Sequence, residues 1–346
     1  MHLHALALAL MLQAPTAPPA PQDADTPKDP PAATETAADE GQIRTLLRPV
    51  GPIGRRRGSM VGYIEDATMG SQVRIRFDAG WHNRAPDRAE FFYAKCGCYR
   101  DLPASTGIKD PDAPGPGPGI VADLKFQQAY LRAELGGSHG SIFAEVPLRW
   151  VKPQAFAPDS GSFADQSGLA DIRGGLKLGL MNTGATLVTV QLQGYFPTGD
   201  AKKGLGTDHF SVEPVLIVDQ RIGDRGGLAA QFGDWHPFGG SKGIPPTSSE
   251  KFTGDIVFYG VGPSFDVYKS DQVTFTPIVE LVGWHITKGF QTPPADIGGT
   301  NIVNLKFGAR TTFAGDLSSL YVGWGRRLST AGWYDDIFRV EFRRLF

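Results

Sequence analysis

The chain ends on the sequence Asp336-Ile337-Phe338-Arg339-Val340-Glu341-Phe342-Arg343-Arg344-Leu345-Phe346. Successive side chains of a strand point to opposite faces, so Phe338, Val340, Phe342 and Phe346 share one face and the charged residues from Arg339 to Arg343 share the other. This pattern predicts a half-buried strand. Because strands of soluble proteins alternate in the same way, the rest of the chain has to decide between a soluble sheet and a membrane barrel.

The same alternation recurs upstream in segments of ten to sixteen residues. Eleven such segments are predicted as strands, near 124–136, 140–152, 169–181, 185–198, 208–222, 226–238, 254–269, 273–288, 301–314, 319–330 and 334–346. At least one more strand precedes them, within 71–82 or 88–98. An even number of strands then gives 12, or 14 if both early segments pair.

Short and long connections alternate strictly between these segments. The short ones are tight turns rich in Gly, Asn, Asp and Ser, near 136–140, 182–184, 223–226, 269–272 and 315–318. The long ones lie near 101–120, 153–168, 199–207, 239–253 and 289–300. Outer-membrane barrels have short periplasmic turns and longer outer loops, whereas a soluble sandwich has no reason to keep this rhythm. We therefore predict an all-β chain that forms a single antiparallel transmembrane β-barrel of about 12 strands.

One face of the predicted strands is almost free of charge. A lysine or arginine facing lipid at the membrane midplane costs roughly 2–4 kcal/mol, so the charged face must point into the lumen. The predicted lumen-lining residues are Arg132, Glu134, Glu145, Arg149, Asp171, Arg173, Lys177, Glu213, Asp219, Arg221, Glu280, Lys306, Arg310, Arg327, Arg339, Glu341 and Arg343. This set has ten basic and seven acidic groups, which must either pair across strands or face water. The first arrangement gives a closed structural barrel, and the second gives a hydrated channel.

The N-terminal part of the chain has a different composition. Residues 1–20 begin with a short apolar run and small residues, which predicts a signal peptide. Residues 21–57 are rich in Pro, Ala, Thr, Asp and Glu, which predicts a disordered linker. The barrel is then predicted to span 58–346. The net charge of −2 gives no basic excess for nucleic-acid binding, and no run of 18 apolar residues predicts a transmembrane helix.

Two local features need a structural test. The prolines at 147, 214, 263 and 277 lie inside predicted strands, although proline cannot donate to a strand ladder, and those at 147 and 214 are placed at bulges. Six aromatic residues lie near strand ends, where interfacial girdles are expected: Trp150, Phe196, Trp235, Trp284, Trp333 and Tyr334.

Few residues of the sequence are candidates for disulfide formation, metal binding or catalysis. Cys96 and Cys98 face the same side of an extended segment, which allows either a tight disulfide in an oxidising compartment or two unlinked structural cysteines. They lack the further ligands that a metal site needs, so no metal site is predicted.

Hydrolase candidates are His209 with Asp208 and Ser211, and Asp234 with His236, but no Gly-x-Ser-x-Gly elbow accompanies them. We predict no catalytic residues and no cofactor. Acidic loop residues such as Asp200 and Asp208 are more often plain turn residues than cation ligands.

Two resemblances complete the prediction. The C-terminal strand resembles the closing strand of bacterial outer-membrane barrels, which implies recognition of Phe346 by the barrel assembly machinery. The segments 168–177, 195–200 and 204–208 together resemble the outer-membrane proteins grouped as the MetA-pathway of phenol degradation or putative transporter family. The resemblance covers roughly 124–346. It implies a barrel in the outer membrane of a Gram-negative bacterium and transport of hydrophobic or aromatic compounds.

The function predicted from these features is porin-like: passive or gated passage of small, hydrophobic or aromatic, molecules of unidentified kind. The barrel's other partner would be outer-membrane lipid. The first alternative is a closed structural or adhesive barrel whose surface loops bind a partner. An outer-membrane hydrolase is the third reading.

Overall fold

The structure, a computed structural model, describes residues 60–346. The predicted signal peptide, the whole predicted linker and the first two residues of the predicted barrel span therefore lie outside the described residues. The strands, numbered in chain order, are β1 Gln72–Asn83, β2 Val121–Gly136, β3 Gly140–Phe156, β4 Gln166–Leu169, β5 Ile172–Asn182, β6 Thr186–Phe196, β7 Phe210–Ile222, β8 Gly226–Phe238, β9 Ile256–Phe265, β10 Tyr268–Lys269, β11 Val273–Ile286, β12 Phe290–Gln291, β13 Ala295–Asp296, β14 Thr300–Phe313, β15 Ser318–Arg327 and β16 Asp336–Leu345. Within residues 60–346, no helix has the length and apolar character needed to cross a membrane.

Twelve of these strands form one closed antiparallel barrel: β1, β2, β3, β5, β6, β7, β8, β9, β11, β14, β15 and β16. The first and last strands of the described residues close the ring, because β1 pairs with β16 from Gln72 opposite Leu345 to Trp81 opposite Asp336. Strands β4 and β10 extend the ladder, and β12 pairs with β13 in a separate hairpin. The prediction of 12 strands is confirmed, and the alternative of 14 is wrong. Of the two early segments, 72–83 is a strand, whereas 88–98 contains short 3-10 turns.

The predicted rhythm of connections is confirmed. Short turns and a seven-residue link join strand pairs at one end of the barrel, which we call the short-turn end. Loops 84–120, 157–165, 197–209, 239–255, 287–299 and 328–335 lie at the other end, which we call the long-loop end.

The two faces of the wall differ as the alternation predicts. Apolar side chains of the outer face are exposed all around the barrel, with Leu135 65%, Ile142 64% and Phe232 58% accessible. Inward-facing neighbours such as Glu145 and Lys177 are buried. An apolar band this extensive is stable only against a non-aqueous environment.

Each strand proline stands where pairing with one neighbour is interrupted. The β7–β8 pairing skips Pro214, and the β9–β11 pairing skips Pro263. Pro147 lies between the part of β3 that pairs with β5 and the part that pairs with β4, and Pro277 lies just beyond the last β9 partner of β11. The missing proline N–H therefore breaks no ladder bond. The bulge predicted at Pro147 is supported on one side of β3, because Glu145 pairs with Arg173 whereas Leu148 pairs with Leu169, a register shift of one residue. The bulge predicted at Pro214 is wrong, because the register of β7 does not shift there.

The predicted aromatic girdle is partly wrong. Trp235, Trp333 and Tyr334 are buried inside the long-loop end, and Trp284 packs against the same interior residues. The outward-facing aromatic residues at this end include pairs in contact across strands. These contacts join Trp81 with Trp324, Trp324 with Phe338, Phe196 with Phe210, and Phe210 with Phe238. The alternation pattern assigned some residues wrongly to the girdle, because it does not predict where loop residues such as Trp333 lie.

Candidate functional site: the lumen and its two closures

Residues 60–71, which we call the strap, lie inside the barrel and precede β1. The strap has no strand or helix of its own. Its main chain is instead held by inward-pointing side chains of the wall. The sequence did not indicate that a segment directly before β1 occupies the lumen.

The amide groups of the strap are held mainly by Glu280 of β11. Its carboxylate accepts hydrogen bonds from the N–H groups of Gly62 at 2.8 Å, Tyr63 at 2.6 Å and Ile64 at 3.4 Å. Hydrogen bonds to a charged group are stronger than those between neutral groups. Glu280 is 1% exposed, so these N–H groups also supply the hydrogen bonds that its buried charge needs.

The carbonyl groups of the strap are held by basic and hydroxyl side chains from other strands. Arg310 donates to the carbonyl of Val61 at 2.6 and 3.1 Å. Lys177 donates to the carbonyls of Asp66 at 2.8 Å and Thr68 at 3.2 Å. Because these contacts are made to main-chain atoms, they fix the path of the strap largely independently of its side chains.

Three strap side chains add contacts of their own. The ring of Tyr63 lies between the cations of Lys306, at 4.3 Å from the ring centre, and Arg339, at 4.2 Å. Such cation–π contacts strengthen when they are desolvated. The carboxylates of Glu65 and Asp66 each form ion pairs with arginines of the wall.

Other wall charges pair with one another. Glu145 of β3 lies 3.5 Å from Arg76 of β1 and 3.2 Å from Arg173 of β5. Glu341 of β16 lies 2.9 Å from Arg310. These side chains are buried or nearly so, and the lumen is filled at this level in the described conformation.

The predicted lumen residues fall into three groups. Buried in the interior are Arg132, Glu134, Glu145, Arg149, Asp171, Lys177, Glu213, Glu280, Lys306, Arg310, Glu341 and Arg343. Mostly buried are Arg173 and Arg339, with side chains 19% and 12% exposed. Three lie towards strand ends and are more exposed, namely Asp219, Arg221 and Arg327.

Two of these residues hold loops rather than line a passage. Asp171 accepts hydrogen bonds from the N–H of Gly199 at 3.0 Å and of Thr207 at 2.9 Å, and so fixes the loop 197–209. Arg149 donates to the carbonyl of Phe92 at 2.6 Å in the long loop after β1. Both residues were predicted to line the lumen. Arg149 lies on β3 and Asp171 between β4 and β5, and neither position in the sequence indicated a loop partner.

That long loop, residues 84–120, covers the long-loop end of the barrel, and we call it the cap. Glu90 of the cap accepts from the N–H of Ser241 at 3.0 Å, and Arg88 donates to the side chain of Gln291 at 2.8 Å. Phe91 packs on Trp235 of β8 and on Trp333. The cap is thereby tied to three other loops and to β8 at the same end.

The cap contains a buried ion pair and the two cysteines. Lys95 is fully buried, with its ammonium 2.8 Å from the carboxylate of Asp110 and 2.9 Å from the carbonyl of Lys242. Cys96 and Cys98 are joined by a disulfide within this buried segment. Both features stiffen the cap locally.

Asp87 of the cap is a buried carboxyl that holds main-chain N–H groups of two segments. It accepts hydrogen bonds from the N–H groups of Thr292 at 3.1 Å and Cys96 at 3.2 Å. Burial raises the pKa of the Asp87 carboxyl to about 6, against an ordinary value near 3.9. The nearby Glu90 carboxylate acts in the same direction.

We expect the cap to tighten on acidification. Because the pKa of Asp87 is raised in the folded cap, its contribution to stability is complete below pH 4 and is lost as the pH rises through 6. Between pH 7.5 and 5 this corresponds to about 1.4 kcal/mol, because only about one pH unit of that window lies below the folded pKa and each unit contributes 1.36 kcal/mol. Hydrogen exchange of residues 84–120 should slow on acidification in the wild type relative to Asp87→Asn. Equal pH dependence in both proteins would contradict this assignment.

The hydrolase candidates do not form a catalytic arrangement. The His209 side chain is buried, its Nε2 atom is 3.9 Å from Glu90, and its ring packs on Trp235. Neither the Nε2 atom of His209 nor the Oγ atom of Ser211 has a hydrogen-bond partner, so the two are not joined. His236 forms an ion pair with Asp255. Within residues 60–346, no cluster of three or more His, Cys, Asp or Glu side chains is arranged to hold a metal ion.

Several residues of the site were missed from the sequence. Arg74, Arg76 and Asp78 line the lumen on β1, whose alternation was recognised without its charges being assigned. Glu65 and Asp66 of the strap were not considered at all. The excess of basic groups predicted for the wall was the available signal that acidic groups from elsewhere would complete the lumen.

Comparisons with known proteins support the barrel. No protein-family model and no curated protein matches the chain, so the resemblance to the phenol-degradation family stays a prediction. The structure is similar to the COG4313 outer membrane channel from Pseudomonas putida F1, with a TM-score of 0.50 and 14% identity over 83% of this chain and 99% of that one. The beta domain of the Bordetella autotransporter Brka is more distant, with a TM-score of 0.45 and 11% identity over 80% of this chain and 100% of that one. At these identities, the similarity to the Pseudomonas putida channel shows a shared barrel fold.

Proposed function

We propose that this chain is an outer-membrane barrel through which small molecules pass, and that the strap and the cap are two gates in series along the passage. In this orientation the short-turn end faces the periplasm and the cap faces the outside. The observation that carries the proposal is the strap: the lumen is filled by a separate segment of chain rather than by wall side chains alone.

The size of the barrel supports this reading. Eight strands enclose an interior that side chains can fill, whereas 16–18 strands leave an open aqueous channel. Twelve strands lie between these limits. The lumen is therefore wide enough to hold an extended segment of chain, and removing that segment would leave a polar, charged path that water can enter.

The strap is also separable from the wall. It is held by hydrogen bonds from individual side chains, while the wall is a continuous ladder of main-chain hydrogen bonds. Ordering a chain segment costs roughly 1–2 kcal/mol per residue, which opposes the strap contacts. The strap can thus leave while the barrel stays folded, as expected of a gate.

The interior near the cap supports passage of molecules with an apolar part. Phe91 and Phe92 of the cap, Phe126 of β2, Trp235 of β8 and Tyr334 belong to one aromatic layer between the cap and the charged lumen. A solute from outside would cross this layer first. Hydrophobic or aromatic molecules, as the family resemblance implies, would be stabilised there.

The proposal makes no use of catalytic chemistry, because the side chains of His209 and Ser211 are not hydrogen-bonded to each other. We propose that the protein is not an enzyme and needs no cofactor. Partners outside the lumen would be lipid around the apolar band and the assembly machinery at Phe346, which is 77% exposed.

Reconstitution tests the proposed function. Purified full-length protein in planar bilayers is expected to give rare, discrete current steps, and liposomes that contain it should swell in small uncharged solutes. The current steps should become more frequent in variants that lack contacts between the strap and the wall. If neither the wild type nor a folded strap variant conducts or admits solute, the closed structural barrel is the better reading.

A further inference from the structure

Three arginines lie side by side on neighbouring strands of the wall, at the level of the strap. Arg74 of β1 is directly opposite Arg132 of β2 on one side and directly opposite Arg343 of β16 on the other. All three point into the lumen and are less than 9% exposed. Like charges directly opposite each other destabilise a sheet, so this arginine row requires anions near it.

The strap supplies two of these anions. The carboxylate of Glu65 lies 3.9 Å from Arg74 and 4.0 Å from Arg132, and the carboxylate of Asp66 lies 2.5 Å from Arg343. The wall contributes Glu134, Glu145 and Glu341 to the same arginines. When the strap leaves, the wall carboxylates stay and the two strap carboxylates are lost to the row.

We propose that the arginine row is a binding site for carboxylate-bearing solutes in the open lumen, and that Glu65 and Asp66 occupy it as a tethered substitute. This inference rests on the proposed function and names the class of solute. Because the two strap carboxylates together reach three neighbouring arginines, a dicarboxylate can engage more of the row than a monocarboxylate can. Arginine suits the task, since its planar fork of donors matches a carboxylate.

The same arrangement explains how a solute could take part in opening. A dicarboxylate that reaches the row competes with Glu65 and Asp66 for the same arginines. The strap and the solute cannot both occupy the row, so solute binding favours the released strap. A ligand shifts such an equilibrium only by its preference for one state, and here the preference arises from direct exclusion.

The test uses full-length protein with Glu65→Gln and Asp66→Asn, which keeps the strap but removes its two charges. In planar bilayers with a KCl gradient, its open events should be anion-selective. Succinate should inhibit the chloride current at a concentration at least tenfold lower than acetate does. The matched control is Glu250→Gln with Asp271→Asn, which removes two exposed loop carboxylates and should behave as the wild type.

Arginine variants in the Glu65→Gln, Asp66→Asn background complete the test. Adding Arg132→Gln and Arg343→Gln should abolish both the anion preference and the stronger effect of succinate, while adding Arg343→Lys should retain the anion preference. Gel mobility with and without heating shows which variants are folded barrels. If the charge-free strap variant conducts without anion preference, or if succinate acts no better than acetate, the arginine site is overturned and the channel remains. If no folded variant conducts, the proposed function fails, and the site fails with it.

Discussion

Glu280→Gln is expected to raise the open probability of the reconstituted protein about 100-fold. The carboxylate of Glu280 accepts from three successive strap N–H groups, and glutamine offers one oxygen and a competing NH₂ group in its place. Each hydrogen bond to a charged group contributes roughly 1.5–3 kcal/mol, so we expect the strap to be held less tightly by about 3 kcal/mol. At about 1.4 kcal/mol per tenfold, this gives the 100-fold change in the equilibrium between held and released strap.

The measurement is single-channel recording in planar bilayers. The matched control is Glu213→Gln, which also removes a buried lumen carboxylate but contacts Tyr195 of the wall at 2.7 Å rather than the strap. Its open probability should stay within a fewfold of the wild-type value. If Glu213→Gln and Glu280→Gln increase opening equally, loss of any buried charge would explain the result and the strap would not be the gate.

Lys95→Met is expected to loosen the cap. The substitution leaves the carboxylate of Asp110, which is 1% exposed, without the ammonium that lies 2.8 Å away. Removing one partner of a buried ion pair costs roughly 3–5 kcal/mol, because the other charge stays buried and unpaired. Cleavage by an added protease within 101–120 and 239–255 should accelerate at least 100-fold in the folded barrel.

A second ion pair of the same loops provides the control. Lys242 lies 3.5 Å from Asp112, and both side chains are more than half exposed. Exposed pairs contribute at most about 1 kcal/mol, so Lys242→Met should change cleavage little. Equal cleavage rates in the two variants would show that the Lys95 pair does not hold the cap.

The two gates should act independently if they lie in series. The strap is anchored on β5, β6, β11 and β14, and the cap on loops at the long-loop end. Contributions of separated sites usually add in free energy. The open probability of the variant with both Glu280→Gln and Lys95→Met should therefore rise by the product of the two single effects.

The wall could be predicted from the sequence because a lipid-facing strand must alternate. The membrane restricts the outward-facing positions, such as Phe338, Val340 and Phe342, to apolar residues. The inward-facing positions between them are free to be charged. The same constraint assigned inward residues such as Glu280 and Lys177. Their partners could not be predicted, since alternation gives the direction of a side chain and not what fills the lumen.

The strap and the cap had no comparable signal. Residues 60–71 follow no period of two or 3.6, because their main chain is held by side chains of distant strands. The cap is built from loop contacts that join residues far apart in sequence, such as Glu90 with Ser241. Trp333 was misassigned to the girdle for this reason: its burial depends on Phe91 of the cap.

A reversible lock on the strap tests the central claim most directly. The hydroxyl of Thr189 on β6 donates to the carbonyl of Ala67 at 2.8 Å, so these two residues are in contact, and Ala67→Cys with Thr189→Cys introduces one thiol on the strap and one on the wall within the Glu280→Gln background. Single-channel currents should be absent while the introduced disulfide is oxidised and should appear on reduction. Glu280→Gln protein with Ala67→Cys alone controls for reduction of the Cys96–Cys98 disulfide. Oxidised, cross-linked protein that conducts as freely as the reduced protein would contradict the strap as a gate.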